Sequence, residues 1–222
     1  SMLWQNVEHF TLARDKAATG TVMDLKGLDA GFSIGQRNSG SEGSARHIFE
    51  ALRIVPGEDF ATVHLGYGPS ADALQDGKIA GMNTPAGPPV SAVTRAFAAD
   101  EGGLVLLSFT DDHRAAVNAA FEGGDLWQPY QIAAGTYPGQ TDAVATIAQP
   151  NFLAVNADVS EQDVYELTKA LFENLPFLAG IHAATKAMSL DAAIAGLPLP
   201  LHPGAIRYYE EAGLDVPARL RP

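Results

Sequence analysis

The sequence predicts an α/β protein, with one complete α/β lobe followed by the helical remainder of a second lobe. Up to residue 148, short apolar runs rich in β-branched or aromatic residues alternate with segments of helical period. From Ser160 onward the apolar residues recur at helical spacing, as Val164, Leu167, Leu171 and Leu175 do. Alternating strands and helices indicate a largely parallel sheet covered by helices.

The bounds of each predicted strand and helix follow from the pattern of apolar residues along the sequence. The predicted strands cover residues 10–13, 31–34, 60–65, 78–82, 104–109 and 152–155, and the predicted helices cover 42–54, 70–75, 89–98 and 111–121. A final helix begins at Pro203 and ends before Gly213. We therefore expect a hinge or crossing segment at 1–20, an α/β ligand-binding lobe at 21–148, and a crossover strand with the helices of an incomplete lobe at 149–222.

Composition excludes several classes of protein. The net charge is −12 and no basic cluster stands out, so a nucleic-acid partner is not expected. The absence of cysteine excludes disulfides, thiolate metal sites and thiol nucleophiles. No apolar run reaches the roughly 18 residues that a membrane span requires. With 46% hydrophobic residues, the chain can bury a core.

The first candidate site is the Gly-rich segment at residues 35–43 (GQRNSGSEG), between a predicted strand and a predicted helix. Backbone N–H groups at a helix N-terminus favour anions. The segment is not a nucleotide P-loop, because Ser41 stands where that motif needs lysine. Ser39 with Glu42 also fits a capping box. The residues alone leave helix capping and ligand contact equally open.

Two further loops are weaker candidates. The turn at 84–89 (TPAGPP) carries Gly87, which permits close backbone approach to a ligand, although the residues alone favour a rigid helix start. The loop at 135–140 (GTYPGQ) carries Tyr137, which can stack on a ligand, although the residues alone favour an ordinary turn. No metal-ligand spacing, acid/base pair or Ser/His/Asp set is evident, so neither a catalytic residue, a metal nor a cofactor is expected.

Six stretches carry a resemblance to a known family. They are residues 24–27 (DLKG), 39–42 (SGSE), 65–68 (LGYG), 134–140 (AGTYPGQ), 164–172 (VYELTKALF) and 200–209 (PLHPGAIRYY). In this order they resemble the TAXI family of solute receptors of TRAP (tripartite ATP-independent periplasmic) transporters, over nearly the whole chain.

The resemblance implies a type II periplasmic-binding-protein fold and a periplasmic protein that is not an enzyme. Such a receptor clasps a small organic acid or an amino acid such as glutamate and delivers it to integral membrane subunits. The residues that the resemblance assigns to the ligand are Ser39, Gly40, Ser41, Thr84, Ala86, Gly87 and Tyr137. Arg37, in the same segment as Ser39, is a further candidate for the ligand site.

The chain departs from the family in two respects. Gln36-Arg37-Asn38 replaces the usual Asn-Pro-Gly, so Arg37 either contacts a carboxylate or faces solvent. The N-terminal part of the first lobe is expected to be missing, and apolar helix faces after Ser160 then predict a homodimer or a domain-swapped oligomer. The alternatives are an enzyme acting on a small acid on the same fold and a ligand-sensing regulatory domain.

Overall fold

The computed structural model describes residues 1–99, 102–122 and 124–222. The chain divides into two compact units, one formed by Val7–Ala148 and one formed by Ser1–Asn6 with Gln149–Pro222. Within the described residues, no helix combines the length and apolar character needed to cross a membrane. The first unit begins at Val7, so residues 7–20, expected in a hinge, belong to the α/β unit.

Eight strands and seven α-helices are formed by the described residues. The strands are β1 (Met2–Val7), β2 (Phe10–Ala13), β3 (Gly31–Ser33), β4 (Ala61–Val63), β5 (Gly81–Asn83), β6 (Leu104–Leu106), β7 (Gln128–Ile132) and β8 (Val144–Phe152). The helices are α1 (Gly40–Leu52), α2 (Tyr67–Gln75), α3 (Ser91–Ala99), α4 (Asp111–Ala119), α5 (Glu161–Glu173), α6 (Leu175–Ile181) and α7 (Pro203–Glu211).

The main sheet of the α/β unit has the order β4-β3-β5-β2-β6. Strand β3 pairs in parallel with both β4 and β5, whereas β2 pairs antiparallel with β5 and β6. The sheet is therefore mixed: β4, β3, β5 and β6 share one direction, as the prediction of a largely parallel sheet requires, and β2 is the exception. Strand β2 lies between β5 and β6 and runs in the opposite direction to both, which makes the sheet mixed.

The register fixes which strand ends share an edge. Phe10 lies opposite Asn83, and Leu12 lies opposite Gly81. The amino end of β2 therefore meets the carboxyl ends of the parallel strands. Helices α1, α2 and α3 follow β3, β4 and β5, so all three begin at that same edge.

An aromatic cluster fills the core beneath α1. Phe10, Phe32, Phe49 and Phe60 are almost fully buried, with neighbouring ring centroids 5.3–5.9 Å apart. Each such ring contributes roughly 1.5–3 kcal/mol through burial. Gly81 permits this packing, because a Cβ there would lie 2.8 Å from the Phe32 ring.

The second unit is built around α5 and α7. Phe172, Tyr208 and Tyr209 pack together with ring centroids 5.8–6.1 Å apart. The α5 start is as predicted, since Ser160 Oγ accepts a hydrogen bond from Asp163 N at 3.1 Å. The predicted strand at 152–155 is wrong: β8 ends at Phe152, and β1 and β7 were not predicted.

Candidate functional site

The topology creates a crevice between β3 and β5. From β3 the chain leaves through α1 to β4 on one side of the sheet, and from β5 it leaves through α3 to β6 on the other side. When two neighbouring parallel strands have connections that leave toward opposite sides of the sheet, a crevice opens between their loops at the carboxyl edge. Ligands of open α/β sheets bind at such a switch point. The segments that flank it are residues 35–41 and 84–90.

The first flanking segment is wound tightly around Gly35. This glycine has φ +102°, and a Cβ on it would lie 2.6 Å from Ser41 Cβ. Ser39 caps α1, since its Oγ accepts from Glu42 N at 3.3 Å. The Glu42 carboxylate does not complete a capping box. It reaches further back and accepts from Asn38 N at 2.6 Å.

Glu42 is the charged group that holds this segment. Its pKa lies below the ordinary value, first because of the hydrogen bond from Asn38 N and then because of the bond from Arg46. The Arg46 guanidinium lies 2.9 Å from Oε1, and His64 Nδ1 lies 3.5 Å from the same oxygen. The carboxylate therefore stays ionised, and negative charge in the first turn of a helix is favourable.

Tyr67 connects the two sides of the crevice. Its hydroxyl donates to the Pro85 carbonyl oxygen at 2.5 Å and lies 2.9 Å from Ser41 Oγ. A carbonyl can only accept, so the Tyr67 proton points to Pro85, and the Ser41 hydroxyl donates to Tyr67. The donors that remain at the start of α1 are the N–H groups of Gly40 and Ser41, which have no intrahelical acceptor.

A second hydrogen-bond chain fixes the 84–90 segment from behind. Val90 N donates to Tyr137 Oη at 3.0 Å, and that oxygen lies 2.7 Å from His9 Nε2. His9 Nδ1 lies 2.8 Å from the Val7 carbonyl oxygen, so Nδ1 carries the proton and Nε2 accepts from the tyrosine. Burial lowers the pKa of His9 to about 4, which agrees with a neutral ring.

The environment of Tyr137 differs from the one expected from the sequence. Its side chain is 2% exposed, its ring stacks on Phe97 at 5.8 Å, and burial raises its pKa to about 12. The sequence suggested an aromatic ring on an open turn, available for stacking on a ligand. In the structure the ring is buried and the hydroxyl is already paired, so Tyr137 holds Val90 in position.

The other predicted residues line the crevice edge to different degrees. Arg37 and Gly40 are exposed, and Ser39, Ser41, Ala86 and Gly87 are half-buried. Thr84 is fully buried, and its Oγ1 has no hydrogen-bond partner among the described residues. Its backbone N donates to His9 O at 3.2 Å. No group of three potential metal ligands occurs in the described part of the chain.

Sequence reasoning missed a buried acid at this edge. Glu8 is 1% exposed, its Oε2 accepts from Asn83 Nδ2 at 2.9 Å, and its Oε1 is hydrogen-bonded to Ser44 Oγ. Burial raises its pKa to about 7, although these hydrogen bonds act in the opposite direction. A single glutamate in an apolar run is the only sequence signal. Tyr67 was also missed: it lies in the LGYG stretch at residues 65–68, which carried the family resemblance but was not assigned to the site.

Comparison with known proteins identifies the family. The profile of the NMT1-like family matches residues 1–213. The chain belongs to the NMT1-like family. Because the match covers both compact units, they are parts of one family architecture and not a fusion of unrelated pieces.

Two solved structures are similar to this NMT1-like chain. One is the periplasmic aliphatic sulphonate binding protein SsuA from Escherichia coli, with 16% identity over 95% of this chain and 52% of that chain, at a TM-score of 0.36. The other is an amino acid ABC transporter substrate-binding protein from Streptococcus pneumoniae bound to L-arginine, with 18% identity over 54% of this chain and 51% of that chain, at a TM-score of 0.32. The chain spans about half the length of these proteins. Scores this low support no inference about the ligand of this chain.

Proposed function

We propose that this protein is the periplasmic solute-binding component of a TRAP-type secondary transporter, of the TAXI class. It captures a small organic acid or an amino acid resembling glutamate, makes and breaks no covalent bond, and passes the solute to integral membrane subunits. The proposal combines the site geometry with the sequence resemblance.

One observation carries the proposal: two main-chain segments are held apart at a topological switch point, with free helix N–H donors on one side. Gly40 and Ser41 can donate to an acid group there, and the α1 dipole adds about 0.3–1 kcal/mol for a negative charge at its first turn. The Tyr67 hydroxyl joins this segment to Pro85 on the other side, which fixes the spacing. A preformed site loses less entropy on binding.

The remaining residues have distinct roles in this proposal. Arg37 is exposed beside the N–H donors, where its guanidinium can take a carboxylate in a bidentate pair. Thr84 offers a buried hydroxyl that has no hydrogen-bond partner in the part of the chain that the structure describes, and Gly87 lets the backbone approach the solute. Ser39 is occupied as the helix cap, so it shapes the segment through its hydroxyl.

Isothermal titration calorimetry with L-glutamate and with succinate tests the proposal. We expect the protein to bind at least one of them, and Arg37→Gln to weaken that binding about 10-fold or more, since a charge-assisted pair contributes roughly 1.5–3 kcal/mol. Lys16→Gln is the matched control, because Lys16 is exposed beyond the carboxyl end of β2, at the opposite edge of the sheet. Failure of both acids to bind would overturn the proposal. Equal weakening by the two variants would remove Arg37 from the site.

Self-association is a second part of the proposal. The unit of Ser1–Asn6 and Gln149–Pro222 exposes Phe177 by 70%, Ile181 by 66% and Leu199 by 57%. It also contains a largely apolar pocket of ≈ 420 Å³ near Leu167 and Leu199. Exposed apolar surface of this kind is typical of an interface. We expect light scattering at micromolar concentration to report a dimer or a larger oligomer, and a monomer would contradict this part.

A further inference from the structure

Glu8 lies where the two sides of the candidate site meet. It precedes β2, whose amino end shares the edge with the carboxyl ends of β3 and β5. Its partner Ser44 belongs to α1, the helix that supplies the N–H donors, and its partner Asn83 ends β5 immediately before Thr84. The carboxyl group therefore connects the supports of both flanking segments.

The hydrogen bonds of Glu8 suit both of its protonation states. The Asn83 amide N–H can only donate, so Oε2 accepts in either state. Ser44 Oγ, on Oε1, can donate to a carboxylate or accept from a carboxylic acid. The side chain can thus take up a proton without losing either contact.

No positive charge neutralises this carboxylate within the described residues. The groups that face it are Ser44 from α1, Asn83 from β5 and the Trp127 indole, all of them neutral. The neighbouring titratable groups are the neutral His9 ring and Tyr67, whose pKa is raised by burial and by the charge of Glu8.

The charged groups of α1 near its start are engaged with one another. Glu42 and Arg46 of α1 pair with each other, and His64 faces the same Glu42 carboxylate. An isolated carboxyl in a low-dielectric site responds strongly to any charge brought close to it.

We infer that Glu8 is a proton-binding site linked to the solute site, so that the protein takes up a proton when it binds an acid. An anion at the Gly40 and Ser41 N–H groups brings a second negative charge toward the Glu8 carboxylate and favours its protonated form. By thermodynamic reciprocity, the protonated form binds the anion more tightly. The inference rests on the proposed function. Glu8 is a positioning residue: it does not touch the solute, but holds α1 and β5 and acts on the bound anion through its charge.

The first test needs no solute. Carbon NMR of glutamate-labelled protein follows each carboxyl carbon through a pH titration, and the Glu8 resonance is the one that disappears in Glu8→Gln. We expect a midpoint near 7, where burial places the pKa of this group. A midpoint near 4, like that of exposed glutamates, would overturn the inference.

The second test measures the linkage by calorimetry of L-glutamate near pH 6 and near pH 8, in two buffers of different ionisation enthalpy. The wild-type protein should bind about fivefold or more tightly at the lower pH and should take up protons on binding. Glu8→Gln, which mimics the protonated acid, should bind equally tightly at both pH values without proton uptake. Glu50→Gln, an exposed change on the same helix, should keep the wild-type behaviour.

The outcomes separate the two claims. Identical pH dependence in the wild-type protein and in Glu8→Gln would refute the linkage while leaving the binding function intact. If neither L-glutamate nor succinate binds at either pH, the proposed function fails and the linkage fails with it. The NMR titration still decides whether Glu8 takes up a proton near neutral pH.

Discussion

Replacing Tyr137 by phenylalanine separates a structural role from a ligand-contact role. The change keeps the ring and its stacking on Phe97 but removes the hydroxyl that accepts from Val90 N and donates to His9. A buried donor left without a partner costs about 1–3 kcal/mol. Because two groups lose the same partner, we expect a loss of about 2 kcal/mol in the free energy of unfolding. For a chain of this size that corresponds to roughly 4–8 °C in Tm.

Urea denaturation followed by circular dichroism measures this loss, and hydrogen exchange of the Val90 amide locates it. Tyr130→Phe is the matched control, because Tyr130 is half-buried in the same unit and its hydroxyl makes no hydrogen bond within the described residues. An unfolding free energy within about 0.5 kcal/mol of wild type, with unchanged Val90 exchange, would refute the hydrogen-bond chain. Unchanged stability with abolished solute binding would instead favour direct contact between Tyr137 and the ligand.

Three further variants probe other parts of the structure. Gly35→Ala should cost about 1–3 kcal/mol and weaken solute binding, because its φ of +102° is strained for alanine and the new Cβ meets Ser41; wild-type affinity would contradict this geometry. In Glu8→Gln, the free energy of unfolding should fall by about 3 kcal/mol from pH 6.5 to pH 4, because the unfolded chain protonates His9 below pH 6.5 while burial keeps the folded ring neutral down to its pKa of about 4. The wild-type protein should show a flatter profile in urea titrations at each pH, because the raised pKa of Glu8 gives stability that is lost as pH rises from about 4.5 to 7. Gly204→Ala should destabilise by more than about 2 kcal/mol in thermal melts, because its Cβ would collide with the α5 backbone, and a wild-type Tm would exclude that close approach.

The sequence predicted the elements whose signals are local. Strand β2 was predicted at its observed bounds, and the final helix begins at Pro203 as expected. Strands β7 and β8 were missed because each contains a proline, Pro129 or Pro150, which normally argues against a strand. The pairing of β7 with β8 depends on tertiary contacts, and local residue patterns do not reveal such contacts.

For the candidate site, the sequence indicated the loops but not their partners. The Gly-rich segment and the turn after β5 were identified from glycine, proline and serine in order. The contact between Tyr137 and His9 joins residues 128 positions apart, and the contact of Glu8 with Asn83 joins residues 75 positions apart. Local spacing carries no information about such pairs, so neither the buried contacts of Tyr137 nor the buried Glu8 could be predicted from it.

The chain of hydrogen bonds from Val90 through Tyr137 and His9 to Val7 has a single direction, with each member giving its hydrogen to the next. An imidazolium ring has no lone pair to receive the tyrosine hydrogen, so one additional proton on His9 reverses this bond and deprives the buried Tyr137 hydroxyl hydrogen of its acceptor. An antiparallel bridge also pairs Val7, at one end of this chain, with Ala86 in the turn after β5. Strong acid should therefore loosen the turn after β5 before the aromatic core beneath α1 gives way.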